Sequence, residues 1–202
     1  MDNLIIVAHP DDEIIWFSSF LKEPETCLII CFDILASEDK SQVSDSTNKV
    51  LNVIKKYAEY LPVIWLRTPK TTSPKIFGQV DTNVAEVLFE NIKSIINTNK
   101  PKYVFTHNPW GEYGHSEHKL VYKIVAELRP DLIFPDATID KALESEEYKL
   151  NFNKTKIIME KITDVSFKME IERLYRKNNI WTMKEVLNYP LTNEKFRRFT
   201  NG

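Results

Sequence analysis

Four short apolar runs alternate with segments of helical periodicity along the N-terminal two thirds of the chain. The runs are rich in aliphatic, β-branched and aromatic residues, which is typical of strands buried on both faces. They are Leu4–Ala8, Cys27–Phe32, Val63–Leu66 and Tyr103–Thr106. Apolar stripes along Val50–Leu61 and Val84–Ile96 indicate helices between them. This alternation predicts an α/β fold, a single domain over residues 1–202 with a mainly parallel, Rossmann-like sheet flanked by helices.

The pattern is weaker from Asp131 onward. Two short segments, Lys149–Phe152 and Lys156–Met159, are predicted to be strands joined by a turn. The segment Lys168–Lys177 is predicted to be a helix, whereas the chain after Trp181 has no clear pattern.

The length, charge and hydropathy of the chain favour a globular domain and argue against nucleic-acid-binding and membrane-spanning proteins. A chain of 202 residues is long enough to bury a full core. The formal net charge of −2 provides no basic field, so nucleic acid is not an expected partner. No apolar run approaches the ~18 residues of a membrane span, and no signal peptide is visible, so we expect a cytoplasmic protein. These patterns do not predict an oligomeric state.

The positions of the cysteines and glycines exclude a disulfide and two common cofactor-binding motifs. Cys27 and Cys31 lie in one predicted strand, where four residues separate them by ~13 Å, too far for a disulfide or a shared metal. We expect buried thiols in a reducing compartment. The only glycines are at positions 78, 111, 114 and 202, so neither a dinucleotide-binding fingerprint nor a phosphate-binding loop can form.

All four histidines follow the first or the fourth apolar run, at the strand ends where open α/β sheets bind ligands. His9, Asp11 and Asp12 follow the first run. His107, His115 and His118 follow the fourth. In the common doubly wound order these two strands are neighbours, so we expect the two clusters to face each other.

A metal explains this convergence. His118 shares one side of a predicted helix with Val121 and Val125, so it points inward. His9, Asp12 and His118 can supply three ligands and leave one position for water, which is the pattern of a catalytic zinc site. We predict one Zn²⁺ per chain, with Fe²⁺ or Co²⁺ as substitutes. The alternative is a helix-capping aspartate beside hydrogen-bonded core histidines, which does not explain why every histidine lies here.

Two motifs resemble those of a known family. AHPDDE at residues 8–13 and THNPWGEYGHSEH at residues 106–118 resemble the LmbE or PIG-L family of zinc-dependent N-deacetylases, which act on N-acetylglucosamine derivatives. The likeness covers the N-terminal two thirds of the chain and extends to residues 162–179. The resemblance implies a hydrolase that releases acetate and a free amine from an amino sugar or sugar conjugate.

The resemblance also implies a role for each residue that matches the motifs. The implied zinc ligands are His9, Asp12 and His118. Asp11 matches the general base, and Tyr113 matches a tyrosine near the substrate carbonyl. His115 matches the residue that stabilises the oxyanion, and it would supply positive charge there if it is protonated. Asp11, next to the metal, can take the proton of the attacking water and pass it to the amine.

Other polar and aromatic residues near the motifs have two interpretations each. His107 binds substrate or hydrogen-bonds Asp11 or Asp12, and Trp110 stacks on a sugar ring or packs in the core. Arg67, just after the third run, holds an anionic part of the substrate or is a surface arginine. Glu13 is expected to orient His9 or another ligand.

Two stretches depart from the family pattern. A pair of glycines usually follows the first motif, whereas this chain has Trp16, Phe17, Ser18 and Ser19. A Gly-containing turn often follows the second strand, whereas this chain has residues 33–35, Asp-Ile-Leu. Because these changes reshape the pocket, the sequence leaves the substrate open. The alternatives are a metal hydrolase of another small amide or ester, and a catalytically silent sugar-binding module.

Overall fold

The four predicted strands form one parallel sheet. In the computed structural model, which describes residues 1–33, 40–68, 82–137, 151–179 and 192–200, these strands are β1 (Asn3–Val7), β2 (Thr26–Phe32), β3 (Val63–Thr68) and β4 (Tyr103–Thr106). Their order is β3-β2-β1-β4, and every neighbouring pair is parallel. The predicted α/β class with a mainly parallel sheet is confirmed.

Helices cover both faces of this sheet, as the alternating pattern predicts. They are α1 (Asp12–Trp16), a 3-10 turn (Ser18–Phe20), α2 (Lys40–Ala58), α3 (Thr82–Asn99), α4 (Gly111–Gly114), α5 (Ser116–Leu128) and α6 (Val165–Lys177). Side chains of β1 alternate between the two faces. Ile5 and Val7 pack with residues of α1, α2 and α6. Leu4, Ile6 and Ala8 pack with residues of α3 and α5.

A second, antiparallel sheet follows the parallel one. Its strands are β5 (Phe134–Pro135), β6 (Thr155–Ile162) and β7 (Asn193–Phe199), in the order β5-β7-β6. The predicted helix over residues 168–177 is confirmed within α6, which begins three residues earlier because Asp164 accepts a hydrogen bond from the Phe167 amide (3.0 Å).

The predicted hairpin of Lys149–Phe152 with Lys156–Met159 is wrong in its pairing. The second segment lies in β6, but residues 151–152 are helical, and residues 149–150 lie outside the described residues. The partner of β6 is β7, whose Phe196 is fully buried in the core. Burial of that ring favours the long-range pairing over a local hairpin.

Both cysteines are buried free thiols, as predicted. Among the described residues, no helix has the length and apolar character needed to cross a bilayer.

Residues 16–19 stand where the family usually has a pair of glycines. They anchor the C-terminal part of the chain. Trp16 and Phe17 are buried in the core. The amides of Ser18 and Ser19 each donate to the Glu194 carboxylate on β7 (3.1 Å), and both hydroxyls donate to it as well. Of the second departing stretch, Asp33 lies 3.6 Å from Arg67, and residues 34 and 35 lie outside the described part of the chain.

A buried ion pair completes this anchor. The Lys168 ammonium of α6 lies 3.2 Å from Glu194 and donates to the Ile15 carbonyl (3.0 Å). Both charged side chains are only 1% exposed. Burial lowers the pKa of Lys168 even though Glu194 opposes that shift. One ion pair therefore connects α6, β7 and the segment after the first motif.

Replacing Lys168 by Met is expected to lower the free energy of unfolding by about 3–5 kcal/mol, because the Glu194 charge would remain buried without its cation. Urea denaturation measures this change. The matched control is Lys22→Met, which removes an exposed pair with Asp164 (3.2 Å, 43% and 48% exposed) and is expected to cost at most about 1 kcal/mol. Equal losses in the two variants would contradict a stabilising role for the buried pair.

Candidate active site

The polar clusters predicted at two strand ends meet in the structure. β1 and β4 are adjacent and in register, from Asn3 opposite Tyr103 to Ile6 opposite Thr106, so their carboxyl ends lie side by side. The imidazole centroid of His118 lies 5.3 Å from that of His9, 4.6 Å from that of His115 and 3.9 Å from that of His107. All four predicted histidines therefore form one cluster.

Two imidazole nitrogens and the carboxylate of Asp12 have the spacing of metal ligands. His9 Nδ1 lies 3.3 Å from His118 Nε2 and 3.3 Å from Asp12 Oδ2. His118 Nε2 lies 3.3 Å from Asp12 Oδ1. Tetrahedral zinc with bonds of ~2.0–2.1 Å places neighbouring donors about 3.3–3.4 Å apart. The three side chains are at most 5% exposed, and the donor set suits a single small divalent cation.

Two glutamates hold the other nitrogens of the candidate ligands. His9 Nε2 lies 2.6 Å from the Glu117 carboxylate, and His118 Nδ1 lies 2.7 Å from the Glu112 carboxylate. Because a carboxylate accepts, each imidazole carries its proton on that side and presents its other nitrogen to Asp12. Carboxylate–histidine pairs of this kind are common behind metal ligands. Both glutamates were missed from the sequence as partners of histidine.

The acidic partners stay ionised despite burial. Burial by itself raises the pKa of Asp12, but the facing His118 and His107 outweigh it and hold that pKa well below its usual range. For Glu112 the same balance of burial against these two histidines lowers the pKa to about 2. Burial lowers the pKa of His118, yet Asp12 and Glu112 outweigh it and raise the pKa to about 9. The carboxylates of Asp12 and Glu112 therefore favour positive charge at the position of His118.

His107 supports the cluster from behind and is not open to substrate. The Ala8 amide donates to His107 Nε2 (2.8 Å), and His107 Nδ1 donates to Glu112 (3.1 Å). Its ring is fully buried and stacks on His118. Although donor atoms of Asp12, His107 and His118 lie within 4.8 Å of one another, the Ala8 amide already engages the His107 lone pair. Of the two interpretations of His107, these contacts favour the supporting one over direct contact with substrate.

His115 faces the same cluster from the start of α5. It is the N-terminal cap of that helix, and its Nδ1 accepts a hydrogen bond from the Glu117 amide (3.3 Å). Burial, with contributions from His118 and His9, lowers the pKa of His115 to about 3. The ring is therefore a neutral imidazole with its proton on Nε2. Burial first, and then the neighbouring His118 and His9, thus disfavour the protonated form in which His115 would supply positive charge.

Tyr113 and Asp11 border this cluster. The Tyr113 ring is 37% exposed, with its centroid 5.6 Å from that of His115 and 5.3 Å from that of His118. Burial, with Asp12 and Asp11 nearby, raises the pKa of its phenol, which stays protonated. Asp11 is fully buried and caps α1 with a φ of 104°. Holding a non-glycine residue in such a conformation costs about 1–3 kcal/mol, so the surrounding structure must impose it.

The two other substrate-binding predictions lie in different settings. Trp110 is partly buried and packs edge-on against Phe134 (6.1 Å between centroids) at the core on one face of the sheet, which fits its packing interpretation. Arg67 lies at the carboxyl end of β3, where its guanidinium contacts Thr47 (3.2 Å) and Asp33 (3.6 Å). Its side chain remains 49% exposed.

The chain is similar in sequence to another protein and in fold to solved structures. An uncharacterized protein of Acanthamoeba polyphaga mimivirus is 26% identical over 146 residues, which cover 66% of this chain and 60% of that protein, less than two thirds of its length. Dbv21, described as an antimicrobial-reagent pseudoaglycone deacetylase, is 12% identical with a TM-score of 0.65. The zinc-inhibited form of teicoplanin deacetylase Orf2 is 12% identical with a TM-score of 0.62. Both structures align over 100% of this chain and 99% of theirs, a likeness of fold.

The family model described as PIG-L: GlcNAc-PI de-N-acetylase matches residues 4–129. That region contains both polar motifs and every donor atom of the candidate metal site, and it makes up more than half of the chain. The resemblance read from the two motifs is confirmed. The chain belongs to the PIG-L family, whose motifs are also described as LmbE-like.

Proposed function

We propose that this protein is a metal-dependent N-deacetylase that hydrolyses the acetamide of an amino sugar or sugar conjugate and releases acetate and a free amine. Membership of the PIG-L family and the fold shared with two deacetylases support deacetylation. The observation that carries the metal is the donor set of His9 Nδ1, His118 Nε2 and the Asp12 carboxylate: the two nitrogens lie 3.3 Å apart, and each lies 3.3 Å from one of the two carboxylate oxygens.

In this proposal, His9, Asp12 and His118 hold one Zn²⁺, for which Fe²⁺ or Co²⁺ can substitute. Such an ion acidifies water and polarises an amide carbonyl. Glu117 and Glu112 keep the two imidazoles in the tautomers that present Nδ1 of His9 and Nε2 of His118 to Asp12. The proposed role of these two buried glutamates is therefore to orient the imidazoles of the metal ligands.

Asp11 is the proposed general base. It is adjacent to a candidate ligand in the chain and fully buried beside the cluster. Its carboxylate takes the proton of the attacking water and returns it to the nitrogen of the departing amine. As C–O bond formation makes the carbonyl oxygen negative, the neutral His115 donates a hydrogen bond to it from Nε2. The protonated phenol of Tyr113 is a second donor at the mouth of the site.

Arg67 is the one substrate-binding prediction with a half-exposed charged group. It stays a proposal for an anionic part of the substrate, such as a phosphate. The family name specifies an N-acetylglucosaminyl phosphatidylinositol, and two structural neighbours are described as a pseudoaglycone deacetylase and teicoplanin deacetylase. These names add a lipid-linked N-acetylglucosamine and teicoplanin to the amino sugars to be tested.

The decisive experiment measures acetate release from N-acetylglucosamine, a nucleotide-linked and a lipid-linked N-acetylglucosamine, and teicoplanin. Chelator-treated protein should be inactive and should recover with one equivalent of Zn²⁺, Co²⁺ or Fe²⁺. Single equivalents are needed because one neighbour is described as zinc-inhibited. Undiminished turnover after complete metal removal would contradict the mechanism. Binding of sugars without turnover would favour the silent binding module, and turnover of other amides or esters alone would favour the broader hydrolase.

A further inference from the structure

The backbone of Asp11 is held by a side chain from its own helix. Asp11 has a φ of 104° and a ψ of −26°, in the left-handed region. Its amide donates to Glu13 Oε2 (2.9 Å). A carboxylate that returns to the amide of the capping residue resembles a capping box, here made by the second helical residue instead of the third. Glu13 therefore fixes the peptide from which the Asp11 side chain projects.

Glu13 was expected to orient a metal ligand, but its second oxygen points elsewhere. Glu13 Oε1 accepts a hydrogen bond from the Tyr175 hydroxyl of α6 (2.6 Å). Both side chains are fully buried. Because one oxygen is held by Tyr175 and the other by the Asp11 amide, the carboxylate plane cannot rotate without breaking a buried hydrogen bond.

The hydroxyl of Tyr175 is itself held by a second tyrosine, Tyr57. The Tyr57 hydroxyl of α2 lies 3.2 Å from the Tyr175 hydroxyl. Since Tyr175 donates its proton to Glu13, Tyr57 is the donor to Tyr175. The hydrogen bonds run in one direction, from Tyr57 through Tyr175 to Glu13, where they meet the bond from the Asp11 amide. All four residues are completely buried.

We propose that Tyr175, acting through Glu13, is a positioning residue that sets the backbone of Asp11 and so aims its carboxylate. This inference rests on the proposed function, in which Asp11 is the general base. Tyr175 lies outside the 4–129 region matched by the family model, whereas Asp11, Glu13 and Tyr57 lie within it. Tyr175 reaches the reacting atoms only through Glu13.

Tyr175→Phe tests the proposal because it keeps the buried ring and removes only the hydroxyl. We expect kcat to fall by ~10- to 100-fold, the usual effect of losing a group that orients an active-site residue. KM and metal content should not change. In metal-free, ¹⁵N-labelled protein, the Asp11 amide resonance should move upfield as its hydrogen bond to Glu13 weakens. Tyr57→Phe should show a smaller change in the same direction.

Two further variants separate positioning from a general structural effect. Glu13→Gln keeps an oxygen for the Asp11 amide and an NH₂ group that Tyr175 can accept from, so it should retain more activity than Glu13→Ala. In the Glu13→Ala background, adding Tyr175→Phe should cause no further loss of kcat, because the two act as one unit. Tyr60→Phe, at a residue that is 43% exposed, is the matched control and should behave like the unmodified protein.

The outcomes are distinct. If Tyr175→Phe matches Tyr60→Phe in kcat and in the Asp11 amide shift, the proposal is wrong. It is also wrong if Tyr175→Phe raises KM or loses metal in proportion to its loss of kcat, since that indicates general disruption. If the unmodified protein hydrolyses no amide, the proposed function fails, and the amide shift still decides whether Tyr175 sets the Asp11 backbone.

Discussion

Replacing Asp11 by Asn is expected to lower kcat by ~10²- to 10⁴-fold and to leave the metal content unchanged, because the variant loses a positioned general base and keeps all three candidate ligands. An amide cannot accept the water proton at neutral pH, but it has nearly the same size and can occupy the same left-handed cap. Steady-state kinetics and elemental analysis of the same purified samples measure both quantities.

The matched control for this substitution is Asp131→Asn, which changes a carboxylate that is 54% exposed and paired with Arg129 (2.8 Å). It should leave kcat unchanged. If Asp11→Asn loses its metal while Asp12→Ala keeps it, the roles of the two adjacent aspartates are reversed. If Asp11→Asn keeps both metal and full activity, the base is a different group.

Asp12→Ala and His118→Ala are expected to abolish stable metal binding. The first removes the charged donor that faces both His9 and His118, and the second also leaves Glu112 buried opposite an empty space. The loss of affinity should exceed the ~10- to 100-fold that removal of an outer carboxylate causes. Metal stoichiometry after gel filtration, together with calorimetric titration of Zn²⁺ into metal-free protein, measures it.

Glu117→Gln provides the graded comparison, since it keeps all three donors and weakens only the acceptor behind His9. We expect it to bind Zn²⁺ ~10- to 100-fold more weakly than the unmodified protein. Retention of full affinity by Asp12→Ala, His118→Ala and Glu117→Gln together would place the metal ligands elsewhere in the chain.

The central sheet and the meeting of the histidines could be predicted because their signals are local. Each parallel strand is a continuous apolar run, and the polar residues begin where the run ends. His118 could be placed inward because Val121 and Val125 follow it at helical spacing. Neither signal requires knowledge of a distant partner.

The features that escaped prediction depend on partners far away in the sequence. β7 pairs with β6 because Phe196 reaches the central core, and nothing near residues 193–199 indicates that burial. The lowered pKa of His115 follows first from its burial and then from the nearby His118 and His9, which come from two separate parts of the chain. The position of His107 follows from the Ala8 amide, a backbone group that sequence patterns do not mark.

The sequence contains a weak indication that Glu112 and Glu117 support the candidate ligands, and the prediction did not use it. Both are acidic residues inside the segment that carries His115 and His118, and metal-binding imidazoles commonly donate to a carboxylate. Which imidazole each one meets could not be predicted, because Glu117 bonds His9, which is 108 positions away in the chain. For Tyr175, which is 162 positions from Glu13, no such signal exists.

The anchoring of Ser18 by Glu194 has a consequence for how the protein is made. The two residues are 176 positions apart. At synthesis rates of ~5–20 residues per second, Glu194 is added roughly 9–35 s after Ser18. During that interval the amides of Ser18 and Ser19 lack their buried acceptor, and Lys168 lacks its counter-ion once it has been made. The first motif is made before β7, and the hydrogen bonds that support the segment after it are completed only when β7 has been made. Until then, the segment that carries the first motif lacks contacts that hold it in the folded protein.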